Sequence, residues 1–457
     1  MTYRVALPYF ADAGRYYAAL RDLPWPVWLD SGGRDRYDIL TADPVRTWET
    51  RSATTCVRDA AGEQHTPDDP FELLREALGE KSAPLGDLPF AGGLLGYWGY
   101  DLARRWIDLP HIAADAEHLP EMAVGLYDWA VVLDHQTCAA WLVSHLRDSQ
   151  TLARLPNILA CLLAAPQTIV PPTFRVTGAV QANFSSDRYA VAFNAVQRYL
   201  HDGDCYQVNL AQRFEAPAEG DAFAAYLALR RISPAPFAAF LDLPDAQILS
   251  ASPERFLRVQ KGQVETKPIK GTRPRGFDPA QDAALIEDLR SHPKDRAENL
   301  MIVDLLRNDL GKTCAPGSVR TPKLFEVESY ANVHHLVSTV TGRLAPGKDA
   351  LHLLRDCFPG GSITGAPKRR AMEIIEQLEP HRRGVYCGAI GYMGFDGNMD
   401  TNIAIRTLVY AQGSIRCWAG GGIVADSEES AEYQETLDKA SAMLKVMRTS
   451  ATRSSPA

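Results

Sequence analysis

The sequence has few cysteines, no long apolar run and no excess of basic residues. Its 457 residues include eight cysteines and no Cys-x-x-Cys pair, which argues against a zinc site and a disulfide framework. The longest apolar run, from Ile158 to Ala165, is too short to span a bilayer. The N-terminal residues contain no apolar segment of the kind that signal peptides need. These absences predict a cytoplasmic protein that does not enter a membrane.

Acidic residues outnumber basic residues, so the net charge is −8 at pH 7. Nucleic acids bind to basic faces, so we expect no nucleic-acid partner. The composition, with 46% hydrophobic and 23% charged residues, is that of an ordinary globular protein. The chain is long enough for two domains or for one large composite with an ample core.

The stretch from Glu254 to Gly276 predicts a β-hairpin that carries two reactive groups. Val264 and Thr266 alternate with polar residues at strand spacing, and Lys270 falls on their side of the strand. If that side is buried, the loss of hydration lowers the pKa of the Lys270 amine and makes it a nucleophile. Glu254 lies one hairpin length earlier and can meet it across the strands. A solvated surface lysine is the alternative that these residues alone leave open.

The composition changes along the chain and divides it into four parts. The main part opens with a predicted helix, because Tyr189, Phe193 and Val196 lie on one apolar stripe. The four parts are an N-terminal region, an alanine-, leucine- and proline-containing connection, a main region and a disordered tail: 1–146, 147–185, 186–448 and 449–457.

Three glutamates near the C-terminus repeat at helical spacing. Glu428, Glu432 and Glu435 share one side of a helix, which we expect to begin at the capping pattern of Asp426 and Glu429. Like charges at this spacing repel, so either solvent separates them or a divalent cation neutralises them. From these residues alone, a solvated acidic face is the simpler interpretation.

Two glycine-rich turns can bring bare backbone close to a small ligand. Residues 358–375 read FPGGSITGAPKRRAMEII, a loop that opens a helix, and helix N-termini attract anions. Gly420, Gly421 and Gly422 precede Ile423 and form the second turn.

These stretches belong to an ordered series of motifs. The series reads SPERF (252–256), PIKGT (268–272), ENLMIVDLLRNDLGK (298–312), VHHLVST (333–339), FPGGSITGAPK (358–368), NMDTNIAIRT (398–407) and AGGGIVADSEESAEYQET (419–436). It resembles the chorismate-utilising enzymes, the family of anthranilate, aminodeoxychorismate and isochorismate synthases. Residues 87–106 and 122–135 are similar to N-terminal motifs of the same family. The resemblance implies an α+β fold, in which two antiparallel β-sheets pack face to face and are flanked by helices.

The resemblance also implies roles for individual residues. Three positions would be catalytic, with the glutamate as general acid and the lysine as nucleophile: Lys270, Glu254 and His335. Seven positions would bind the substrate: Thr364, Gly365, Tyr386, Arg406, Gly420, Gly421 and Gly422. Three glutamates would hold Mg²⁺, the last of them through water: Glu298, Glu435 and Glu432.

Two positions distinguish the reactions of this family. Position 270 is alanine in anthranilate synthases and lysine in aminodeoxychorismate synthases, where the lysine amine attacks C2 of chorismate. Gln207 stands where isochorismate synthases carry the lysine that activates water. Both positions imply amination of chorismate at C4 by ammonia, giving 4-amino-4-deoxychorismate for 4-aminobenzoate and folate synthesis.

The source of ammonia and two competing functions complete the expectation. No cysteine lies in a Gly-x-Cys-x-Gly nucleophile turn, so we expect ammonia from a separate glutamine amidotransferase subunit, component II. One alternative is anthranilate synthase component I. The other is a non-catalytic subunit that binds chorismate or tryptophan.

A regulatory tryptophan occupies the N-terminal region of the tryptophan-making relatives. Here the corresponding stretch contains Ser31, Arg36 and Asp38. These residues form either a tryptophan pocket or a polar turn. Both interpretations stay open, and we favour the turn.

Overall fold

The computed structural model describes residues 2–330 and 333–449. In chain order the strands are β1 (Tyr3–Leu7), β2 (Val27–Asp30), β3 (Tyr37–Thr41), β4 (Arg46–Arg51), β5 (Thr54–Asp59), β6 (Gly62–Thr66), β7 (Gly93–Trp98), β8 (Met122–Tyr127), β9 (Trp129–Asp134), β10 (Ala139–Ser144), β11 (Phe174–Val176), β12 (Gln181–Ala182), β13 (Gln207–Gly220), β14 (Phe237–Asp242), β15 (Gln247–Ser252), β16 (Arg255–Gln260), β17 (Gln263–Thr266), β18 (Ile269–Pro274), β19 (Arg320–Ser329), β20 (Val333–Arg343), β21 (Gly365–Ala366), β22 (Ala389–Gly394), β23 (Met399–Ile403), β24 (Thr407–Ala411) and β25 (Ser414–Ile423). The α-helices are α1 (Gly14–Leu20), α2 (Pro70–Leu78), α3 (Thr151–Leu163), α4 (Ser186–His201), α5 (Ala222–Ile232), α6 (Pro279–Ser291), α7 (Pro293–Gly311), α8 (Ala350–Cys357), α9 (Lys368–Leu378) and α10 (Glu429–Thr449). Two short 3-10 helices span Tyr100–Arg105 and Gly361–Ile363.

The strands form two large sheets. Sheet A has thirteen strands in the order β1-β10-β9-β3-β2-β14-β15-β24-β25-β13-β11, with β12 and β21 beside β13. Sheet B has twelve strands in the order β18-β20-β17-β16-β23-β22-β7-β8-β4-β5-β6, with β19 beside β20. The named strands pair in antiparallel fashion, as between β13 and β25 or β22 and β7.

The two sheets pack face to face, and helices cover their outer faces. Between the sheets lies an apolar cluster that takes Val27 and Val132 from sheet A and Leu95 and Ile390 from sheet B. Helices α1, α3, α5 and α10 pack on the outer face of sheet A. Helices α2, α7 and α8 pack on the outer face of sheet B, whereas α4 and α9 pack against β13 of sheet A. The α+β fold of two packed antiparallel sheets flanked by helices is therefore confirmed.

Helix α4 forms where its apolar stripe predicts it. The Ser185 side chain accepts a hydrogen bond from the backbone N–H of Arg188 at 3.3 Å and caps the first turn. Tyr189, Phe193 and Val196 are buried along one face. The period of the sequence thus sets both the position and the orientation of this helix.

The predicted start of α10 is wrong. The helix begins at Glu429, so Asp426 lies outside its first turn. Ser427 organises this segment instead, because its hydroxyl accepts the N–H of Val424 at 3.1 Å and donates to Glu432 at 2.6 Å.

Strands from both ends of the chain alternate in both sheets. In sheet A, β2 pairs with β14, and in sheet B, β7 pairs with β22. The predicted boundary at residue 146 therefore separates two parts of the sequence that share the same sheets. The 147–185 connection contains α3, β11 and β12. Of the predicted tail, Thr449 ends α10, and residues 450–457 lie outside the described residues.

Within residues 2–330 and 333–449, no helix combines the length and the apolar character that a lipid bilayer requires.

We expect residues 1–185 and residues 186–457 to be insoluble when each is expressed alone. Each fragment would expose long strand edges that the other fragment covers, and such edges promote aggregation. The measurement is the soluble fraction after centrifugation, followed by far-ultraviolet circular dichroism. Co-expression of both fragments is the control and should restore soluble protein, whereas a folded 186–457 fragment would contradict the interleaved topology.

Candidate active site

One cavity of about 910 Å³ gathers most of the predicted site residues. It opens between β13 and β25 of sheet A, β18 and β20 of sheet B, and helices α7 and α10. The predicted residues that line it are Glu254, Lys270, Glu298, His335, Tyr386, Arg406, Gly420, Gly422, Glu432 and Glu435. The hairpin, the acidic helix and the glycine-rich residues 420–422 therefore meet at a single site, although these glycines lie in strand β25 and do not form the predicted turn.

Lys270 lies on β18 with its side chain half-buried in the cavity. Burial lowers the pKa of its amine, and the Glu298 carboxylate opposes this shift without reversing it. Gly271 follows with a φ of +78°, and a Cβ there would approach Leu289 Cδ1 to 2.9 Å. The left-handed backbone conformation at Gly271 favours glycine, and it coincides with a shift of register in the pairing of β18 with β20 next to Lys270.

Glu254 is buried and held by hydroxyl groups. Ser362 donates a hydrogen bond to Glu254 Oε1 at 2.9 Å, and Ser252 accepts the backbone N–H of Glu254 at 3.3 Å. Burial raises the pKa of the Glu254 carboxyl to about 7, although Ser362 and Lys270 act against the shift. A carboxyl that keeps its proton near neutral pH is suited to act as a general acid.

Three carboxylates approach the cavity from two helices. Glu298 comes from α7, and Glu432 and Glu435 come from α10. Burial raises the pKa of Glu298 and of Glu432. Burial also acts on Glu435, but the ammonium of Lys439 outweighs it and holds the Glu435 pKa below its ordinary value.

These carboxylates fit a hard divalent cation. The buried oxygen Glu432 Oε2 has no hydrogen-bond partner among the described residues, and a Cβ on Gly421 would lie 2.7 Å from it. An unpaired buried carboxylate oxygen needs a cation or a donor, and oxygen ligands suit Mg²⁺. The charge of Glu435 also raises the pKa of Glu298, a repulsion that a shared cation removes.

The three glutamates are spread more widely than a closed metal cage. Among the described residues, the group of three potential ligands whose donor atoms lie within 4.8 Å of one another is Cys56, Glu63 and His65. There Glu63 already forms ion pairs with Arg58 and His65. At the cavity, two carboxylates together with oxygens of a substrate match the sparse way in which proteins bind Mg²⁺.

Tyr386 and Arg406 give the cavity groups that suit an anion. The Tyr386 ring stacks on Trp418 with centroids 6.1 Å apart. Arg406 lines the cavity with a φ of +53° and donates to the backbone carbonyl of Lys439 at 2.9 Å. The guanidinium keeps further donors free for a carboxylate, which it can bind in bidentate fashion.

His335 lies on β20 and lines the same cavity. Its Nδ1 is 2.9 Å from the Thr272 hydroxyl. Burial and the Arg406 charge lower the pKa of His335 to about 4, so the ring is neutral near pH 7. Its neighbour His334 is fully buried and bonds to Ser329 and Asp282, as a structural residue does.

Three predicted substrate-binding residues lie behind the cavity wall. Thr364 is fully buried, and its hydroxyl donates to the Gly360 carbonyl at 3.0 Å. Gly365 pairs with β13 as part of β21. Gly421 packs against the carboxylates of α10. These residues shape the wall through the backbone, and contact with a substrate stays a prediction for them.

A buried ion pair supports the floor of the cavity. The Arg383 guanidinium bonds to the Glu379 carboxylate at 2.6 and 2.9 Å. It also donates to the carbonyls of Ile363 at 2.9 Å and Asn209 at 2.7 Å, both of which line the cavity. Glu379 in turn accepts the N–H of Ala211 at 2.9 Å. One side-chain pair thus fixes β13 to the turn that carries Ser362.

Sequence reasoning missed two polar residues of the cavity. Lys439 lies four residues after Glu435, and this helical spacing is the signal that reveals the ion pair between them. Asn209 lies two residues after Gln207 in β13, so that both side chains project to the same face of the strand. An alternating strand pattern does not show which face meets a cavity.

A second cavity of about 430 Å³ borders the predicted tryptophan stretch. Ser31 and Arg36 line it, whereas Asp38 is buried in β3 and accepts the Ser31 N–H at 2.7 Å. Arg36 bonds to Asp134 at 2.7 and 3.0 Å. The polar contacts of a turn and a neighbouring cavity are both present, so both interpretations stay open.

Comparison with known proteins decides the family. The family model described as chorismate binding enzyme matches residues 31–445. The chain belongs to the chorismate binding enzymes. This places the cavity and its charged groups within a family of enzymes that act on chorismate.

Curated relatives in this family are similar over nearly their whole length. The aminodeoxychorismate synthase component 1 of Salmonella typhimurium is 51% identical over 448 residues, covering 96% of this chain and 97% of the relative. The protein of the same name from Escherichia coli K12 is 49% identical over 449 residues, with 96% and 97% coverage. The resemblance predicted from the motifs is confirmed.

A solved structure of the family has the same fold. Anthranilate synthase component I from Streptococcus pneumoniae TIGR4 matches with a TM-score of 0.79 and 34% identity. The match covers 90% of this chain and 92% of that chain.

We expect Glu435→Gln and Glu298→Gln to weaken the binding of Mn²⁺, used in place of Mg²⁺, by at least about tenfold. Each change removes a charged ligand from the acidic side of the cavity. The measurement is the free Mn²⁺ signal in electron paramagnetic resonance, without any substrate. Glu428→Gln is the matched control, because Glu428 is exposed and does not line the cavity. Equal loss of binding in all three variants would contradict the assignment.

Proposed function

We propose that the protein aminates chorismate at C4 with ammonia and releases 4-amino-4-deoxychorismate. The observation that carries this proposal is the pairing of Lys270 and Glu254 in one cavity. Burial lowers the pKa of the first and raises the pKa of the second. A lysine amine that loses its proton more readily and a carboxyl that keeps its proton near neutral pH suit the nucleophilic displacement of a hydroxyl.

The cavity supplies complementary charge for the chorismate dianion. Arg406 and Tyr386 suit one carboxylate, and Gly420 and Gly422 let the ligand approach the backbone. Glu298, Glu432 and Glu435 would hold Mg²⁺, which when bound neutralises a substrate carboxylate and orients the ring. His335, neutral near pH 7, lines the same space without adding charge.

The first chemical step forms an adduct with Lys270. The amine nitrogen attacks C2, the C1=C2 and C5=C6 double bonds shift to C6=C1 and C4=C5, and the C4–O bond breaks. Glu254 gives its proton to the departing hydroxyl, which leaves as water, and the resulting carboxylate takes up the proton that the lysine nitrogen loses. This covalent route divides one difficult substitution into two easier ones.

The second step regenerates the enzyme. Ammonia attacks C4, both double bonds shift back to C5=C6 and C1=C2, and the C2–N bond breaks. The lysine nitrogen takes up the proton that the ammonia nitrogen loses. The ring keeps its carboxylates and now carries an amino group at C4. The product is a precursor for 4-aminobenzoate and folate.

Ammonia would come from a glutamine amidotransferase partner. The relatives of 51% and 49% identity are named component 1, a name that implies a second component. A cavity that receives ammonia and contains no cysteine fits this division of labour.

The main alternative is anthranilate synthesis, since the solved structure at 34% identity is an anthranilate synthase component I. Lys270 favours amination at C4, because a nucleophilic side chain at this position provides the adduct. A non-catalytic subunit is the other alternative. The presence of an acid, an amine and three carboxylates in one cavity argues against it.

Product analysis tests the proposal. The purified protein is incubated with chorismate, Mg²⁺ and ammonium, and the product is identified by mass and fluorescence. A non-aromatic aminated chorismate supports the proposal. Fluorescent anthranilate would make the first alternative correct, and unchanged chorismate the second.

We expect Lys270→Ala to abolish the covalent adduct. In the absence of ammonia, the quenched wild-type protein should gain the mass of one chorismate less one water, and the variant should gain nothing. Lys267→Ala is the control, because Lys267 lies on the same stretch but bonds to Glu328 at 2.6 Å. An undiminished rate with ammonium in Lys270→Ala would exclude the covalent role.

We expect kcat/KM for chorismate to fall with rising pH above about 7. The pKa of Glu254 is raised to about 7, so the acid is protonated below that pH and loses its proton above it. The profile is measured at constant free ammonia concentration. Glu254→Gln should lower the rate by about 10²–10⁴-fold and remove this alkaline limb. If kcat/KM of Glu254→Gln still falls at high pH, the fall reflects the titration of another group.

A further inference from the structure

The carboxamide of Asn209 is a buried polar group of the cavity wall. The residue is 6% exposed, lines the cavity and leaves its Oδ1 without a hydrogen-bond partner among the described residues. A buried amide oxygen without a partner costs free energy. Such a group in a binding cavity points to a ligand that completes its hydrogen bonds.

The backbone of Asn209 is fixed on both sides. Its N–H donates to the Thr364 carbonyl at 2.9 Å, and its carbonyl accepts from Arg383 at 2.7 Å. Arg383 is 1% exposed and is itself held by Glu379. The side chain therefore cannot leave the wall by a shift of the strand, and its position is set before any ligand binds.

The same contacts place Asn209 close to Glu254. Arg383 also binds the carbonyl of Ile363 at 2.9 Å, the residue after Ser362. Ser362 donates to Glu254 at 2.9 Å. The carboxamide and the general acid thus belong to one hydrogen-bonded wall of the cavity.

The chemistry of a carboxamide selects among the groups of the substrate. A primary amide offers both a donor and an acceptor, whereas carboxylates and the enol ether oxygen only accept. The ring hydroxyl at C4 is the polar group of chorismate that both donates and accepts. It is also the group that Glu254 must reach.

We infer that the Asn209 carboxamide binds the C4 hydroxyl of chorismate and holds it beside Glu254. This inference rests on the proposed function, which gives Glu254 the task of protonating that hydroxyl. Asn209 is then a substrate-binding residue that selects for a ring with a hydroxyl at C4. A site built to bind a hydroxyl discriminates against an analogue that lacks it, because the polar groups of the site stay unpaired.

The test compares two ligands on three proteins by equilibrium binding. The ligands are chorismate and an analogue with hydrogen in place of the 4-hydroxyl. The proteins are the wild type, Asn209→Leu and Gln212→Leu. Gln212 is the matched control, because it lies on the same strand, is fully buried and leaves Oε1 unpaired, but it bonds to Thr436 and does not line the cavity.

We expect Asn209→Leu to raise the dissociation constant of chorismate by about tenfold and to leave that of the analogue nearly unchanged. Gln212→Leu should leave the dissociation constants of both ligands unchanged. Thermal unfolding of each variant verifies the fold, and Asn209→Ser serves as a smaller replacement if the leucine variant does not fold. Equal loss of both ligands in Asn209→Leu, or no loss of either, would overturn the inference.

Kinetic measurements distinguish binding of the C4 hydroxyl by Asn209 from binding of ammonia, which is the other small hydrogen-bond donor of the reaction. If Asn209→Leu raises KM for ammonium while the ratio of the two ligand affinities stays at the wild-type value, the carboxamide serves ammonia and the inference is wrong. The binding test needs no turnover. It therefore measures the contribution of Asn209 to ligand affinity even if the product analysis contradicts amination.

Discussion

The ion pair between Glu379 and Arg383 is the contact on which the geometry of the cavity depends. Both residues are almost completely buried, and together they bond to the backbone of β13 and of the turn before β21. A buried pair of this kind adds little net stability. Removal of one partner, however, leaves the other charge buried and unpaired and costs about 3–5 kcal/mol. Its contribution here is positional. The general acid, the unpaired amide and the glycine-rich wall keep their spacing because one guanidinium holds both backbones.

The packing of the two sheets produces two opposite pKa shifts from one cause. Loss of hydration disfavours the charged form of any group, so it lowers the pKa of Lys270 and raises the pKa of Glu254. Neither shift needs a special partner. The neighbouring charges moderate both, since Glu298 acts on the lysine and Ser362 and Lys270 act on the glutamate. Burial therefore favours the acid form of Glu254 and the nucleophilic form of Lys270, which come from neighbouring parts of the same sheet region.

The sequence predicts local features well and distant contacts poorly. Helix α4 follows from its apolar stripe. The side of β18 that Lys270 occupies does not follow from the alternation in β17, because the strand is interrupted between Thr266 and Ile269 and the pairing of β18 with β20 shifts register. The place of Thr364 behind the wall does not follow, because it depends on pairing between β21 and β13, which are far apart in sequence. Asp426 matches a capping pattern, but the Ser427 hydroxyl organises that segment instead. The role of Arg383 does not follow from its local pairing with Glu379 four residues earlier, because its other partners are backbone carbonyls of distant residues.

The interleaved sheets also determine when the cavity can form during synthesis. Strand β13 provides Asn209, but its neighbour β25 leaves the ribosome roughly two hundred residues later. Until β25 has been synthesised, β13 presents an unpaired edge. Strand β7 likewise lacks its partner until the later strand β22 has been synthesised. Non-local pairing of this kind slows folding and leaves apolar edges open to aggregation. Nascent chains of this protein thus depend on protection of their early strands until the last sheet strand has been made.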